Sequence, residues 1–188
     1  MRTLLSPLLL PGLALVAVGL VDAADAPPPS PFGAAVTDAI AVVTPTQGQE
    51  VRGTVRFHRT GDGVHVSGEL TGLTPNVKHG FHVHEFGDCS APDGASAGGH
   101  FAPEGHPHGA PDPGQHHAGD LGNVEADSAG RAKVDVTVPG LTLATGDRAL
   151  VGRALIVHAQ PDDLTSQPTG NAGARVGCGV IGVEKPGG

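Results

Sequence analysis

The chain is poor in aromatic residues: it has no Trp, no Tyr and only five Phe among its 188 residues. Glycine at 30 and proline at 17 are abundant, and both are disfavoured inside helices. The composition therefore argues against a helical bundle. It favours many short strands that are joined by turns and by one or two long loops.

Basic residues are scarce as well, since 11 Lys and Arg face 19 Asp and Glu and leave a formal net charge of −8. Nucleic acids and anionic membrane surfaces attract clustered positive charge, so we expect neither as a partner. The 11 histidines equal the Lys and Arg in number. Because imidazole is the commonest metal ligand, this excess directs attention to a metal site.

The amino-terminal segment has the features of a secretory signal peptide. Arg2 supplies a positive charge, residues 4–21 are mostly apolar, and small residues follow at Ala23 and Ala24. We predict a signal peptide at residues 1–24 and a periplasmic or extracellular location. An uncleaved anchor is the alternative, although prolines and glycines interrupt the apolar stretch.

The chain has only two cysteines, Cys89 and Cys178. Export leads to an oxidising compartment, where an even pair indicates one disulfide, with two buried thiols as the alternative. A bridge that closes so long a loop would stabilise the fold by roughly 4–5 kcal/mol in the chain-entropy model.

Residues 25–33 are rich in proline and predict an extended tether, which leaves residues 34–186 for the folded domain. Apolar and polar residues alternate at 51–58, 64–70 and 133–138, which predicts strands with one buried face. Residues 149–158 and 178–183 are more continuously apolar and predict central strands. No stretch has a helical period, so we predict an all-β antiparallel sandwich or barrel.

Two segments, 87–121 and 159–177, lack a strand pattern. A loop as long as the first is unusual in a compact domain unless something other than strand pairing holds it in place. The disulfide at Cys89 and a bound metal are the candidates.

The histidines lie where such a metal would need them. His82 and His84 are two residues apart in a predicted strand, so both side chains point to one face. His158 ends another predicted strand and could return to that face. Three imidazoles and a carboxylate, a set typical of zinc, follow along the first loop: His100, His108, His117 and Asp120. The ligand count fits two metals.

Three segments resemble the signature segments of copper–zinc superoxide dismutases: GFHVHEFGD at 80–88, GDLGN at 119–123 and GNAGAR at 170–175. The similarity extends from about residue 39 to residue 183. It implies an eight-stranded antiparallel Greek-key β-barrel or sandwich with two long functional loops. It also implies an oxidoreductase that converts superoxide to dioxygen and hydrogen peroxide by alternate reduction and reoxidation of copper.

The resemblance also implies a role for individual residues. Asp162 would hydrogen-bond two ligands and orient them, Arg175 would attract and position superoxide, and Cys89 would pair with Cys178. His106 and His116 neighbour the expected ligands, so an alternative zinc register stays open. The expected copper ligands are His82, His84, His100 and His158, and the expected zinc ligands are His100, His108, His117 and Asp120, with His100 shared.

Three other interpretations of the sequence are a copper chaperone domain of the same fold, a histidine-rich zinc-binding protein, and a structural sandwich domain. The complete ligand set and Arg175 favour the enzyme. We expect superoxide as the small-molecule partner and no stable membrane insertion after cleavage, while both monomer and homodimer stay open. Residues 87–121 and 159–174 contain no Lys or Arg, so Arg175 is the expected source of positive charge near the substrate.

Overall fold

The computed structural model describes residues 36–111 and 114–185. The predicted signal peptide and tether, residues 1–24 and 25–33, lie outside the described residues. Within those residues, no helix combines the length and the apolar character needed to cross a membrane.

Eight antiparallel strands form one sheet, and its strand order is β5-β4-β7-β8-β1-β2-β3-β6. The sheet curls into a nearly closed barrel, which confirms the predicted all-β fold. The connections from β3 to β4, from β5 to β6 and from β6 to β7 join strands that are not neighbours in this order. The strands are β1 (Asp38–Pro45), β2 (Arg52–Arg59), β3 (Gly63–Thr71), β4 (Lys78–His84), β5 (Asp120–Glu125), β6 (Ala132–Pro139), β7 (Ala154–His158) and β8 (Arg175–Val183).

Alternating side chains build the barrel core from the strands that the sequence pattern predicted. In β2, Val55 and Phe57 are fully buried, whereas Arg56 and His58 between and after them are exposed. Successive side chains of a strand point to opposite faces, so one face fills the core and the other meets solvent. Every residue of β7 is buried, as expected for a central strand.

Two predicted strand boundaries were wrong. The predicted strand at 149–158 begins only at Ala154, because Ala149 makes just an isolated bridge with Thr142 and residues 151–153 form a turn. Leu150 is nevertheless fully buried, which made the run look like a strand. Strand β8 begins at Arg175 instead of residue 178, since its glycines concealed the start of the alternation.

The loop after β4 is tied to the barrel by the predicted disulfide. Cys89 and Cys178 are bonded, with Cα atoms 5.9 Å apart, so the loop is linked to β8. Backbone hydrogen bonds join the start of the same loop to its later part: the Glu85 amide donates to Gly99 and the Phe86 amide donates to Ala97. The loop is therefore fixed without a regular strand partner.

Candidate metal centre

Strand register brings the first group of histidines together. His82 and His84 of β4 pair with Ile156 and Ala154 of β7, and His158 ends that same strand. An isolated bridge pairs His84 with His100 and draws the first loop onto β4. Each residue of this four-histidine set offers a ring nitrogen that lies within 4.8 Å of the others: His82, His84, His100 and His158.

A second set of ligand-type residues shares His100 with the first. Asp120 opens β5, opposite His82 of β4, and its Oδ2 accepts hydrogen bonds from the amides of Gly109 and His117. These bonds fold the loop around one carboxylate. Atoms that could bind a metal lie within 4.8 Å of one another in the three-histidine–aspartate set: His100, His108, His117 and Asp120.

Hydrogen bonds on the outer ring nitrogens turn two imidazoles of the first set inward. The Nδ1–H of His84 donates to Gly98 O at 3.0 Å, and the Nδ1–H of His158 donates to Gly173 O at 3.2 Å. In a neutral imidazole this leaves both Nε2 atoms as acceptors. The two Nε2 atoms lie 3.4 Å apart, so two lone pairs share a space that suits a cation between them.

The other two histidines of the first set each have a buried ring nitrogen without a hydrogen-bond partner among the described residues, Nδ1 of His82 and Nε2 of His100. Their remaining nitrogens are engaged: His82 Nε2 lies 2.8 Å from Asp162 Oδ2, and His100 Nδ1 lies 2.9 Å from Asp120 Oδ1. A buried polar atom without a partner costs free energy. A metal ion held by the first set would supply the missing partners, so the residues fit a metal.

Asp162 connects the two sets. Its Oδ2 contacts Nε2 of His82, and its Oδ1 lies 3.0 Å from Nε2 of His108. Asn123 holds the aspartate by its main chain, since its side-chain amide donates to Asp162 O and accepts from Asp162 N. The sequence reasoning missed Asn123 as an individual residue, although it lies within the segment GDLGN.

Burial sets the charge state of the imidazoles. It lowers the pKa of His84 to about 2 and the pKa of His158 to about 3, and neighbouring histidines add to the effect. Burial alone would raise the pKa of Asp120, but hydrogen bonds from His100 and the Gly109 amide hold it well below its usual range. His84 and His158 are therefore neutral and Asp120 is ionised in the metal-free site, and these are the forms that bind metals.

Arg175 lies at the edge of the first set. Its guanidinium donates to Gly94 O at 2.5 Å and to Gly98 O at 2.6 Å, and the same Gly98 carbonyl accepts from His84. The positive charge of Arg175 contributes to the lowered pKa values of both His84 and His158. The arginine is half-buried and held in place beside these two imidazoles.

The alternative zinc ligands, His106 and His116, do not lie in the three-histidine–aspartate set. His116 donates from Nδ1 to His117 O at 2.7 Å and belongs to neither set, and His106 is also outside both. The structure thus joins His108 and His117, not their neighbours, with Asp120.

Lys78, another potential source of positive charge, lies on the surface with its amine 3.9 Å from Glu125.

Comparison with known proteins agrees with this geometry. The model of the copper/zinc superoxide dismutase (SODC) family matches residues 51–181. Superoxide dismutase (Cu-Zn) 2 of Aquifex aeolicus (strain VF5) is 42% identical over 136 residues, which cover 70% of this chain and 80% of that protein. The crystal structure of the clock protein EA4 superposes with a TM-score of 0.72 at 41% identity, covering 80% of this chain and 97% of that one. The chain therefore belongs to the copper/zinc superoxide dismutase family and is a superoxide dismutase.

Proposed function

We propose that the four-histidine set holds copper, that the three-histidine–aspartate set holds zinc, and that His100 bridges the two ions as an imidazolate. One observation carries the proposal: the two sets share His100, and its Nε2 and the Nδ1 of His82 are buried without a partner among the described residues. An imidazole that binds a metal through both nitrogens must lose both ring protons, which two flanking cations favour.

The donor chemistry supports this division of the metals. Imidazole nitrogens suit copper, and three imidazoles with one carboxylate make a closed set that suits zinc. Copper bound there would supply a one-electron redox couple, and zinc would supply fixed positive charge beside it. The overall reaction converts superoxide and protons to dioxygen and hydrogen peroxide.

The chain's own residues orient the ligands and position the substrate. Asp162 accepts from the Nε2–H of both His82 and His108, which leaves their Nδ1 atoms unprotonated, each with a lone pair that a metal could take. Arg175 binds the superoxide anion beside the first set, and its contacts with Gly94 and Gly98 hold the guanidinium there. The formal net charge of −8 repels an anion on average, so the attraction of superoxide depends on the local positive charge of Arg175.

We also propose that the enzyme acts outside the cytoplasm, in the periplasm or the extracellular space. The Cys89–Cys178 disulfide fits an oxidising compartment. The predicted signal peptide at residues 1–24 provides the route. Mass analysis of the exported protein should find the bridge and an amino terminus near Ala24.

Metal analysis with a dismutation assay tests the proposed centre. The purified mature protein should contain one copper and one zinc per chain, and His158→Ala should abolish most activity while zinc is retained. His58→Ala is the matched control, because His58 lies on β2 with 60% of its side chain exposed and pairs with Asp38. Full activity of the copper-free protein would overturn the proposal.

A further inference from the structure

The loop between β7 and β8, here called the second loop, contacts both the main chain and the ring of His108. Gln167 of this loop places its side-chain amide against the His108 backbone: Oε1 accepts from His108 N–H at 2.9 Å, and Nε2 donates to His108 O at 2.8 Å. The ring of His108 meets Asp162 of the same loop at Nε2. The second loop therefore contacts the backbone N–H, the backbone carbonyl and the side chain of His108.

His108 depends on these contacts more than the histidines of the strands do. His82 and His84 lie in β4, and His158 lies in β7, so strand pairing positions their main chains. His108 lies in no strand, and within residues 36–111 and 114–185 its backbone makes no hydrogen bond to another backbone group. Gln167 satisfies both of its backbone polar groups instead.

The backbone of the second loop also packs closely against the Asp162–His108 contact. Gly170 has φ 64°, and a Cβ added there would collide with Asp162 Oδ1 and lie 2.6 Å from His108 Nε2. Only glycine combines this conformation with so close an approach. The loop is thus built tightly around His108 from two sides.

We propose that Gln167 is a positioning residue for the zinc half of the centre: by fixing the main chain of His108, it aims His108 Nδ1 into the three-histidine–aspartate set. The inference rests on the proposed function, because it takes zinc as the ion of that set. Residues that orient metal ligands typically affect metal affinity by roughly 10–100-fold. Gln167 is exposed, so its loss leaves no cavity in the core.

Zinc release from the copper- and zinc-loaded enzyme to a chelator tests this role. Gln167→Ala should release zinc about 10-fold faster than the unchanged protein, from the lower end of that range. Gln167→Glu keeps an acceptor for His108 N–H but places an oxygen against His108 O, so its release should also be faster. Gln49→Ala, at an exposed glutamine in the turn after β1, should release zinc at the unchanged rate.

Two further measurements separate positioning from a purely structural role. The copper spectrum and the unfolding midpoint of the metal-free protein should be the same in Gln167→Ala and in the unchanged protein. Unchanged zinc release in both Gln167 variants would overturn the inference, and so would a matching loss of metal-free stability. If the unchanged protein binds no zinc, the proposed function fails first, and the inference fails with it.

Discussion

The two halves of the proposed metal centre are built by different means: the copper half is the four-histidine set, and the zinc half is the three-histidine–aspartate set. In the copper half, three of the four histidines belong to strands: His82 and His84 to β4 and His158 to β7. In the zinc half, only Asp120 belongs to a strand, while His108 and His117 lie in the long loop after β4. His100 belongs to both halves, and an isolated bridge to His84 holds its main chain against β4.

This difference indicates what each half depends on. The copper half depends on strand register, which the whole barrel core enforces. The zinc half depends on hydrogen bonds to a few side chains, chiefly Asp120, Asp162 and Gln167. We therefore expect perturbation of the loops to disturb zinc before copper.

Loss of the disulfide should have the largest effect. Replacing both Cys89 and Cys178 by Ser removes the covalent link between the first loop and β8, and should lower the free energy of unfolding by about 4–5 kcal/mol on the chain-entropy model. Denaturant unfolding of the metal-free protein measures this loss. In variant protein that still folds, zinc should be released faster than from the unchanged protein. An equal increase in copper release would contradict the proposed difference between the two halves.

Removing the carboxylate that joins the halves comes next. Asp162→Ala should weaken zinc binding by roughly 10–100-fold, because His108 loses the partner of its Nε2. Copper should be weakened less, since β4 still positions His82. Separate titrations of the two metals measure both effects. The zinc affinity of Asp162→Asn should lie between those of Asp162→Ala and the unchanged protein, because Asn keeps one acceptor. Equal losses at the two metals would show that strand register does not protect the copper half.

Arg175 tests the electrostatics of the copper half. Local positive charge raises association rates of anions by roughly 10–1,000-fold, so Arg175→Ala should lose at least about 10-fold in kcat/KM. Arg175→Lys should retain part of it, since the charge survives. Arg56→Ala, an exposed arginine of β2 that pairs with Glu184, is the control.

The salt dependence of the same rates bears on the source of the attraction. Because exposed long-range charge is what salt screens, the unchanged enzyme should slow only weakly as salt is added. A steep fall with salt would reveal a distant basic group. An active Arg175→Ala variant would contradict the local role of the arginine.

Acid should destabilise the metal-free protein through the copper half. The pKa values of His84 and His158 are about 2 and about 3 in the fold, against about 6.5 when unfolded. Between pH 6.5 and 3 the unfolded chain therefore binds more protons, and stability falls as the pH falls, by up to about 1.4 kcal/mol per pH unit for each group. Unfolding of metal-free His158→Ala should show a shallower slope, and an identical slope would contradict the assignment.

The sequence predicted the parts of the molecule that follow a periodic pattern. Alternation located β2, β3 and β6, and the two-residue spacing of His82 and His84 placed both side chains on one face. The even number of cysteines predicted the bridge. Periodicity failed at 149–153, because a buried turn around Leu150 has the same apolar composition as a buried strand.

The contacts between the loops could not be predicted in this way. Gln167 reaches the backbone of His108, a residue 59 positions away, and any exposed glutamine would look the same in the sequence. Such contacts are decided by tertiary geometry, not by residue spacing. The sequence did favour His108 and His117 over His106 and His116, and the fold of the loop around Asp120 brings these two into one set.

The most direct test of the account is the magnetic coupling between the two halves. Cobalt(II) introduced into the three-histidine–aspartate set, with copper(II) in the four-histidine set, should alter the copper signal in electron paramagnetic resonance through the shared His100. His100→Ala should restore an isolated copper signal. A copper signal that is the same with and without cobalt in the unchanged protein would contradict a bridge at His100.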